Sequence, residues 1–460
     1  MRKLLSLLCL TVLTVHAQNG GISPEMLQEI RGAHTTTVAE RAISNALATN
    51  AIDNLAKNFA NSGEIDPRFS VETPKQSITN QKSSGRCWMF SGLNVLRSIF
   101  AERSDSLTVE FSQDYLFFWD QLEKANLFLQ GVIDTSGKSI DDLRVQFFFK
   151  SPLNDGGTFC GVADLTEKYG LVPKSVMPET FSAESTSRIR GLLNSKLREM
   201  GLKLRDMMNG GKKKDVEKEK TKMLSEIYKL LCIAYGEPPT SFTYAFKSKN
   251  GRTGEAKAYT PQSFYEATVG NKLNGTFIMV MNDPRRPYHK TYEVEYDRHT
   301  YDGHNWKYLN LPMNEIEELA IASLKDGRKL YSSYDVGKQL DRDRGYCDLE
   351  NYDYASLLGT SFNMDKAQRI STFDSGSTHA MTLTAVDLDV EGKPTRWKVE
   401  NSWGATSGMS GYIVMTNRWF EEYMFRLVVD NKYVSGKLMK EYEQKPLMVM
   451  PEDPLFQMDE

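Results

Sequence analysis

The sequence predicts an α+β protein, with helices concentrated in its first half and strands in its second. Apolar residues recur at helical spacing in Ser23–Phe59, Val109–Phe148 and Ala183–Tyr235. Segments rich in strand-forming residues begin at Phe242 and continue to Tyr433. The 460 residues are 40% hydrophobic and 25% charged, which is typical of a soluble globular chain, and no internal apolar run is long enough to span a membrane.

The first 17 residues have the pattern of a signal peptide. Arg2 and Lys3 precede the apolar stretch Leu4–Val15, and residues 15–17 form a small-residue cleavage site. A transmembrane anchor is the alternative, but the apolar core is short and polar residues follow it. We therefore expect cleavage after Ala17 and an exported protein, periplasmic or secreted.

Export affects how the cysteines are interpreted. The mature chain would keep Cys87, Cys160, Cys232 and Cys347. If Cys87 stays reduced, at most one disulfide can form among the other three, so the chain is not a disulfide-rich scaffold. We expect Cys160 and Cys347 to be buried.

Residues 18–78 are expected to form an N-terminal arm with one or two helices. The stretch after it, Thr79–Arg97, contains the strongest candidate for a nucleophile, Cys87. A loop with helix-capping residue types precedes Cys87 and an apolar run follows it, so Cys87 is predicted at a helix N-terminus, where a thiolate is favoured. Gln81 could donate to a developing oxyanion beside the Cys87 N–H.

His379 is the candidate proton partner. Of the six histidines, only His379 lies in an apolar, strand-like run, T-H-A-M-T-L-T-A-V. A second predicted strand ends at Asn401, whose side-chain carbonyl could accept a hydrogen bond from one ring nitrogen and orient the other toward sulfur. Trp403 could shield that bond from water.

Two segments between Cys87 and His379 have distinct sequence patterns. Residues 154–157 (N-D-G-G) break a helical pattern, either as an ordinary turn or where another backbone approaches. Ala183–Tyr235 predicts a helical hairpin around the turn at residues 209–211. Its Lys-rich stretch, Lys212–Lys222, is interleaved with acids, so a solvated helix face is favoured over a nucleic-acid-binding patch.

The downstream segments complete the strand-rich half. Phe242–Tyr259 and Phe277–Leu311 are β-rich, Glu315–Lys325 predicts a helix, and further strands are expected up to Tyr433. Three histidines in this region lack the spacing of a metal site and are expected at the surface: His289, His299 and His304.

These motifs together resemble the bleomycin hydrolase/aminopeptidase C family of papain-like cysteine peptidases. The nucleophile segment reads S-G-R-C-W, and 292 residues (379 − 87) separate Cys87 from His379, about twice the ~130–150 of papain itself. The resemblance runs from about Ala39 to Pro454. Other matching blocks are L-N-D-G-G from Leu153, E-K-Y-G-L-V-P-K-S-V-M-P-E-T from Glu167, G-E-P-P from Gly236, N-D-P-R from Asn282 and D-V-G-K from Asp335.

The resemblance implies a papain-like two-lobed fold over residues 79–460. A helical lobe would carry Cys87, a β-barrel-like lobe would carry His379 and Asn401, and a helical insertion (about 183–235) and a C-terminal tail (about 445–460) would be added. It implies a catalytic set of Cys87, His379 and Asn401, with Gln81 in the oxyanion hole. The implied substrate-binding residues are Asn154, Asp155, Gly156, Gly157, Trp403 and Glu460. It implies no metal or organic cofactor, and a homohexamer built through the insertion.

The implied function is an aminopeptidase that cleaves peptides near their free N-terminus through an acyl-enzyme. A papain-like endopeptidase and a catalytically silent binding or assembly protein are the alternatives. The intact Cys-His-Asn-Gln set argues against the silent protein. The other two differ at the tail, because in this family the terminal carboxylate holds the substrate α-amino group. Here the tail ends in Asp459 and Glu460 rather than in small apolar residues, so whether one or two residues are released per cut stays open.

Overall fold

The structure is a computed structural model that describes residues 20–104, 109–248, 250–270 and 272–456. The expected signal peptide and the terminal Glu460 lie outside these residues. The mixture of helices and strands confirms the predicted α+β class. Within the described residues, no helix combines the length and apolar character needed to cross a membrane.

The α-helices of the described chain are α1 Pro24–Ala33, α2 Val38–Leu47, α3 Ile52–Ala56, α4 Cys87–Arg103, α5 Gln113–Asp134, α6 Leu143–Lys150, α7 Phe159–Tyr169, α8 Phe181–Glu184, α9 Ser187–Asn209, α10 Val216–Tyr235, α11 Pro261–Thr268, α12 Met313–Lys325, α13 Tyr354–Leu358, α14 Lys366–Ser371, α15 Asn417–Tyr423 and α16 Gly436–Tyr442. Short 3-10 helices lie at Phe59–Asn61, Lys213–Asp215, Asn431–Tyr433 and Pro454–Phe456. The strands are β1 Val71–Glu72, β2 Phe242–Tyr244, β3 Lys257–Tyr259, β4 Phe277–Met281, β5 Lys290–Val294, β6 Lys307–Asn310, β7 Leu330–Tyr334, β8 Leu340–Asp341, β9 Tyr346–Cys347, β10 His379–Leu388, β11 Pro394–Glu400, β12 Tyr412–Thr416, β13 Met424–Asp430 and β14 Leu447–Val449.

The chain divides into two compact units. The first consists of the described residues up to Asn58 together with Tyr352–Ser361. It contains α1–α3 and α13, so this part of the predicted arm has three short helices rather than one or two. The Asp353 N–H donates to the Ala56 carbonyl at 2.7 Å and joins the two segments of this unit.

The second unit, Phe59–Asn351 with the residues from Phe362 onward, contains every candidate site residue that the structure describes. Its helices pack around α4 and α5: α7 contacts both, and the long pair α9 and α10 packs on α5. Trp88, Met89, Phe90, Leu93 and Leu96 of α4 are fully buried, because this helix lies between the other helices and the sheet. The two helices predicted between residues 183 and 235 are therefore present as α9 and α10.

Twelve strands of this unit form one sheet, in the order β14-β5-β6-β4-β13-β7-β10-β11-β12-β9-β8, with β1 added to β10. The central strand β10 pairs antiparallel with β7 on one side and β11 on the other. Thr382 of β10 pairs with Glu400 of β11, so the first residues of β10 lie beside the last residues of β11. This register brings His379 and Asn401 together, and α4 packs directly against β10.

Candidate active site

Cys87 is the first residue of α4, as the sequence predicts. The helix is fixed in place by the buried apolar residues that follow Cys87, while Cys87 itself is half-buried. The preceding loop is held from outside, since the Gly85 N–H donates to the Asp155 carboxylate at 2.7 Å. The thiol therefore lies at the positive end of a 17-residue helix, where an anion is stabilised.

Arg86 occupies one of the two positions, with Ser84, at which the segment S-G-R-C-W departs from the papain pattern C-G-[SA]-C-[WY]. Its guanidinium is fully buried, pairs with Glu179 at 2.7 Å and lies 5.1 Å from the Phe117 ring. Asp114 is buried nearby, and burial together with the negative charge of Glu179 raises its pKa to about 8, although Arg86 opposes the shift. Arg86 thus points into the helical core, and its charge is balanced there.

His379 and Asn401 form the hydrogen bond that the sequence predicts. The His379 Nε2 lies 2.8 Å from the Asn401 Oδ1, which also accepts the Ser402 N–H at 2.8 Å. Because Oδ1 already accepts from a backbone donor, the amide oxygen faces the imidazole, so Nε2 is the protonated nitrogen and Nδ1 is the basic one.

The surroundings of this pair are apolar and cationic. The Trp403 ring lies 4.9 Å from the imidazole, and the Arg342 guanidinium lies 5.0 Å from the Trp403 ring. Burial lowers the pKa of His379 to about 4; the hydrogen bond to Asn401 opposes this and the charge of Arg342 adds to it. Next to a neutral thiol the imidazole is therefore neutral near pH 7.

The Cys87 thiol and strand β10, which begins with His379, border the same cavity. The Ala380 N–H donates to the Cys87 Sγ at 3.4 Å, which places the sulfur beside the residue that follows His379. A cavity of about 370 Å³ opens at this point, lined among others by Gln81, Gly85, Cys87, Gly157, His379 and Arg426.

Gln81 is fixed at both ends of its side-chain amide. Its Nε2 donates to the Ser84 carbonyl at 2.6 Å, and its Oε1 accepts from the Ser402 hydroxyl at 2.5 Å. Only one of the two Nε2 protons is used by Ser84, so the second remains for an acceptor in the cavity. Gln81 lines the cavity that Cys87 also lines.

Of residues 154–157, Gly156 and Gly157 line the same cavity, whereas Asn154 and Asp155 do not. The Lys124 ammonium binds the Asn154 carbonyl, the Asn154 Oδ1 and the Gly156 carbonyl at 3.1, 3.1 and 2.7 Å. A side chain at Gly157 would meet His299 at 2.2 Å and Trp88 at 2.8 Å, so only glycine fits there. The glycine is thus required by neighbouring side chains, which the sequence does not reveal.

The Asp155 carboxylate is bound by groups of the protein. It accepts from the Gly85 N–H at 2.7 Å, from the Thr186 hydroxyl at 2.5 Å and from Arg190. Its backbone carbonyl accepts from the Trp88 indole N–H at 2.8 Å. Asp155 therefore connects the nucleophile segment to the start of α9.

The expectation that His299 lies at the surface is wrong. His299 is only 2% exposed, its ring centroid lies 4.5 Å from that of Trp88, and its Nδ1 lies 2.5 Å from the Asp120 Oδ1. The ring fits because Gly157 and Gly161 leave space for it, and Asp120 satisfies the ring nitrogen that burial removes from water. His304 is exposed at the surface, as expected, and His289 is half-exposed between Glu315 and Glu441.

The C-terminal tail is anchored by ion pairs at Asp453. Asp453 binds Arg285 at 2.7 Å and Arg286 at 2.6 Å, and both arginines also bind the buried Asp283. Beyond this cluster, Leu455 is fully buried and the Phe456 ring lies 5.7 Å from the guanidinium of Arg426, which lines the Cys87 cavity.

None of the four cysteines among the described residues forms a disulfide. Cys160 and Cys347 are buried, as predicted, and Cys232 is half-buried. Burial raises the pKa of the Cys160 and Cys347 thiols well above their ordinary value, so neither is a nucleophile at neutral pH.

A thiol at a helix N-terminus, beside an imidazole oriented by an amide and a glutamine that can donate to an oxyanion, is the arrangement a cysteine-type peptidase uses. The sequence profile of the Peptidase C1-like family matches residues 21–456, and the chain belongs to this family.

Named relatives agree with this assignment and with the resemblance seen in the sequence. The chain is 39% identical to the aminopeptidase C of Lactobacillus delbrueckii subsp. lactis over 90% of this chain and 93% of that protein. It is 40% identical to the bleomycin hydrolase of Homo sapiens over 84% of this chain and 87% of that protein. The crystal structure of PepW from Lactobacillus rhamnosis HN001 superimposes with a TM-score of 0.90 at 37% identity, covering 95% of this chain and 99% of PepW.

Proposed function

We propose that the protein is an aminopeptidase that hydrolyses peptide bonds near the free N-terminus of peptides, with Cys87 as nucleophile. The observation that supports the proposal best is the contact between the start of α4 and the start of β10. The Cys87 Sγ accepts from the Ala380 N–H at 3.4 Å, and the neighbouring His379 is oriented by Asn401 at 2.8 Å. In this view the helices around α4 and the sheet around β10 are the two walls of a substrate cleft.

In the acylation step, the Cys87 sulfur attacks the peptide carbonyl carbon, and the thiol proton passes to the Nδ1 of His379. A thiolate beside the ring offsets the cost of a buried imidazolium, so the ion pair can form although burial alone lowers the pKa of His379. The Gln81 Nε2 and the Cys87 N–H stabilise the oxyanion. The imidazolium then protonates the leaving amine as the C–N bond breaks.

In the deacylation step, the neutral imidazole takes a proton from water, and the resulting hydroxide attacks the thioester carbonyl. The same two donors stabilise the second oxyanion, the C–S bond breaks and the acid product leaves. Asn401 keeps Nε2 protonated in both steps, so that Nδ1 is the nitrogen that accepts and returns the proton.

The restriction to free N-termini is assigned to the C-terminal tail. The ion pairs of Asp453 with Arg285 and Arg286 support this, because they anchor the chain just before Phe456, which lies against Arg426 at the cavity. A tail carboxylate would form a charge-assisted pair with the α-ammonium group of a substrate. Glu460 is the candidate for that carboxylate.

The test compares two fluorogenic peptides that differ only in N-terminal acetylation, each assayed with and without a thiol reductant. The proposal expects rapid cleavage of the free peptide, slow cleavage of the acetylated one and dependence on the reductant. Equal rates on both peptides would instead favour an endopeptidase.

We also propose that the protein assembles as a homohexamer through α9 and α10. The exposed apolar residues Leu192, Leu202 and Ile233 on these helices support a contact surface. Light scattering should give six times the mass of one mature chain, and a mass equal to a single chain would contradict the proposal.

Export with cleavage after Ala17 is proposed from the N-terminal sequence alone. N-terminal sequencing of the protein recovered from its native host tests it. A first residue of Gln18 is expected, and an N-terminus at Met1 or Arg2 would contradict it.

A further inference from the structure

The segment that leads into the cleft, residues 151–157, has no regular secondary structure of its own. We call it the cleft loop. Leu153 and Asp155 are buried, so their backbone groups need partners inside the protein. The cleft loop begins at the end of α6 and finishes with Gly156 and Gly157 beside Cys87. Its position therefore sets one wall of the substrate cavity.

Side chains of α4 and α5 hold the second half of the cleft loop. The Trp88 indole binds the Asp155 carbonyl, Gln121 binds the Asn154 carbonyl at 2.9 Å, and Lys124 binds the carbonyls of Asn154 and Gly156. Both helices pack in the core around Cys87, so these contacts belong to the active site already described.

One face of α9 holds the end of α6 and the first half of the cleft loop. Arg198 donates to the carbonyls of Phe149 and Lys150, at 2.9 and 2.7 Å, and so caps the end of α6. Asn194 accepts from the Leu153 N–H at 2.7 Å and donates to the Leu153 carbonyl at 3.0 Å, as a neighbouring strand would.

Arg190 completes this row by binding the Asp155 carboxylate. Residues 190, 194 and 198 are four apart, so they lie on one face of α9; Arg190 and Asn194 contact the cleft loop, and Arg198 contacts the end of α6 that leads into it. Two further contacts tie the start of the hairpin to the loop before Cys87 and to the cleft loop. The Ser83 N–H donates to the Glu184 carbonyl at 2.9 Å, and the Thr186 hydroxyl binds Asp155.

We infer that α9 is part of the substrate-binding apparatus and that Asn194, Arg198 and Arg190 are positioning residues for the cleft loop. Without Asn194 the buried N–H of Leu153, a residue 1% exposed, loses the partner that fixes it. The loop then has to be ordered when a peptide binds, which weakens binding without touching the reacting atoms.

The experiment uses the full-length protein and the variants Asn194→Ala and Arg198→Met, with Arg188→Met as the matched control. Arg188 is an exposed residue of the same helix, so the control makes the same chemical change away from the loop. For a free-amino fluorogenic peptide, we expect KM to rise about tenfold in both variants, with kcat changed less than about twofold. Arg198→Lys should recover part of the loss, because it keeps a donor for the α6 carbonyls.

Hydrogen–deuterium exchange supplies a readout that does not need turnover. The amides of residues 153–158 should exchange faster in both variants than in the wild type and in Arg188→Met, while the rate of Cys87 alkylation by iodoacetamide stays unchanged. Light scattering on the same samples separates this effect from a change of assembly. If Asn194→Ala does not fold, Arg198→Met decides alone.

Unchanged KM and unchanged exchange in a folded Arg198→Met variant would overturn the inference. The kinetic part rests on the proposed function, but the exchange part does not. A wild type inactive on every peptide would reject the proposed function, and the exchange rates would still decide whether α9 positions the loop.

Discussion

Replacing Gln81 with alanine should lower kcat while leaving the reactivity of the Cys87 thiol intact. The Gln81 amide is held by Ser84 and Ser402 so that one N–H remains for the cavity that Gln81 shares with Cys87. An oxyanion develops only when a carbonyl is attacked. Loss of this donor should therefore slow the chemical step without weakening binding of the substrate in the ground state.

The expected size of the effect follows from the number of donors. Two donors face the oxyanion in the proposed mechanism, and removing one of them typically costs about 10²–10³ in kcat, or about 2.7–4 kcal/mol. Ser402→Ala is the matched comparison. It removes the hydroxyl that orients the Gln81 Oε1 at 2.5 Å but keeps the donor, so kcat should fall about tenfold or less.

The assay pairs steady-state kinetics on a free-amino fluorogenic peptide with the second-order rate of alkylation by iodoacetamide. Alkylation displaces iodide at a saturated carbon and forms no oxyanion, so it reports the thiol alone. We expect Gln81→Ala to lose kcat at near-constant KM and to be alkylated at the wild-type rate. If alkylation slows in parallel with kcat, Gln81 acts on the nucleophile and the oxyanion assignment fails.

Three further predictions follow from the same geometry. His379→Ala should lower kcat by roughly 10⁴–10⁶ and Asn401→Ala by less, because the second variant keeps a misoriented base; equal losses would contradict these roles. Because burial lowers the pKa of His379 to about 4, the unfolded chain binds this proton at higher pH than the native protein does. About 3 kcal/mol of unfolding free energy should therefore be lost as the pH falls from 6.5 to 4. Urea titrations should show that the unfolding free energy falls less over this pH range in His379→Gln than in the wild type. Asp453→Asn should weaken the anchoring of the tail and raise the ratio of kcat/KM for an acetylated peptide to that for a free one about tenfold; an unchanged ratio would detach the tail from specificity.

Local sequence patterns predicted the elements that carry the site. The apolar run after Cys87 predicted α4, and the two strand-like runs predicted β10 and β11, so that the hydrogen bond between His379 and Asn401 could be anticipated from antiparallel pairing. These features depend on residues that are close in sequence or on one strand pair. The burial of Cys160 and Cys347 followed from their ordinary preference.

The groups that hold the site in place were not visible in the sequence, because their partners are far away along the chain. His299 lies among Asp and Tyr residues that suggest a surface, yet it pairs with Asp120, 179 residues earlier. The contacts of Arg86 with Glu179 and of Asn194 with Leu153 likewise join segments that no periodicity relates. In each case the tertiary structure supplies the partner that makes burial of the polar group acceptable.

We propose Cys87 as the nucleophile of a peptidase that acts on free N-termini. The most direct test compares the turnover of a free-amino fluorogenic peptide by the wild type and by Cys87→Ala under reducing conditions. Thermal unfolding should first show that the two proteins are equally stable. We expect rapid turnover by the wild type and a loss of roughly 10⁴-fold or more in the variant. Undiminished turnover by Cys87→Ala would contradict it.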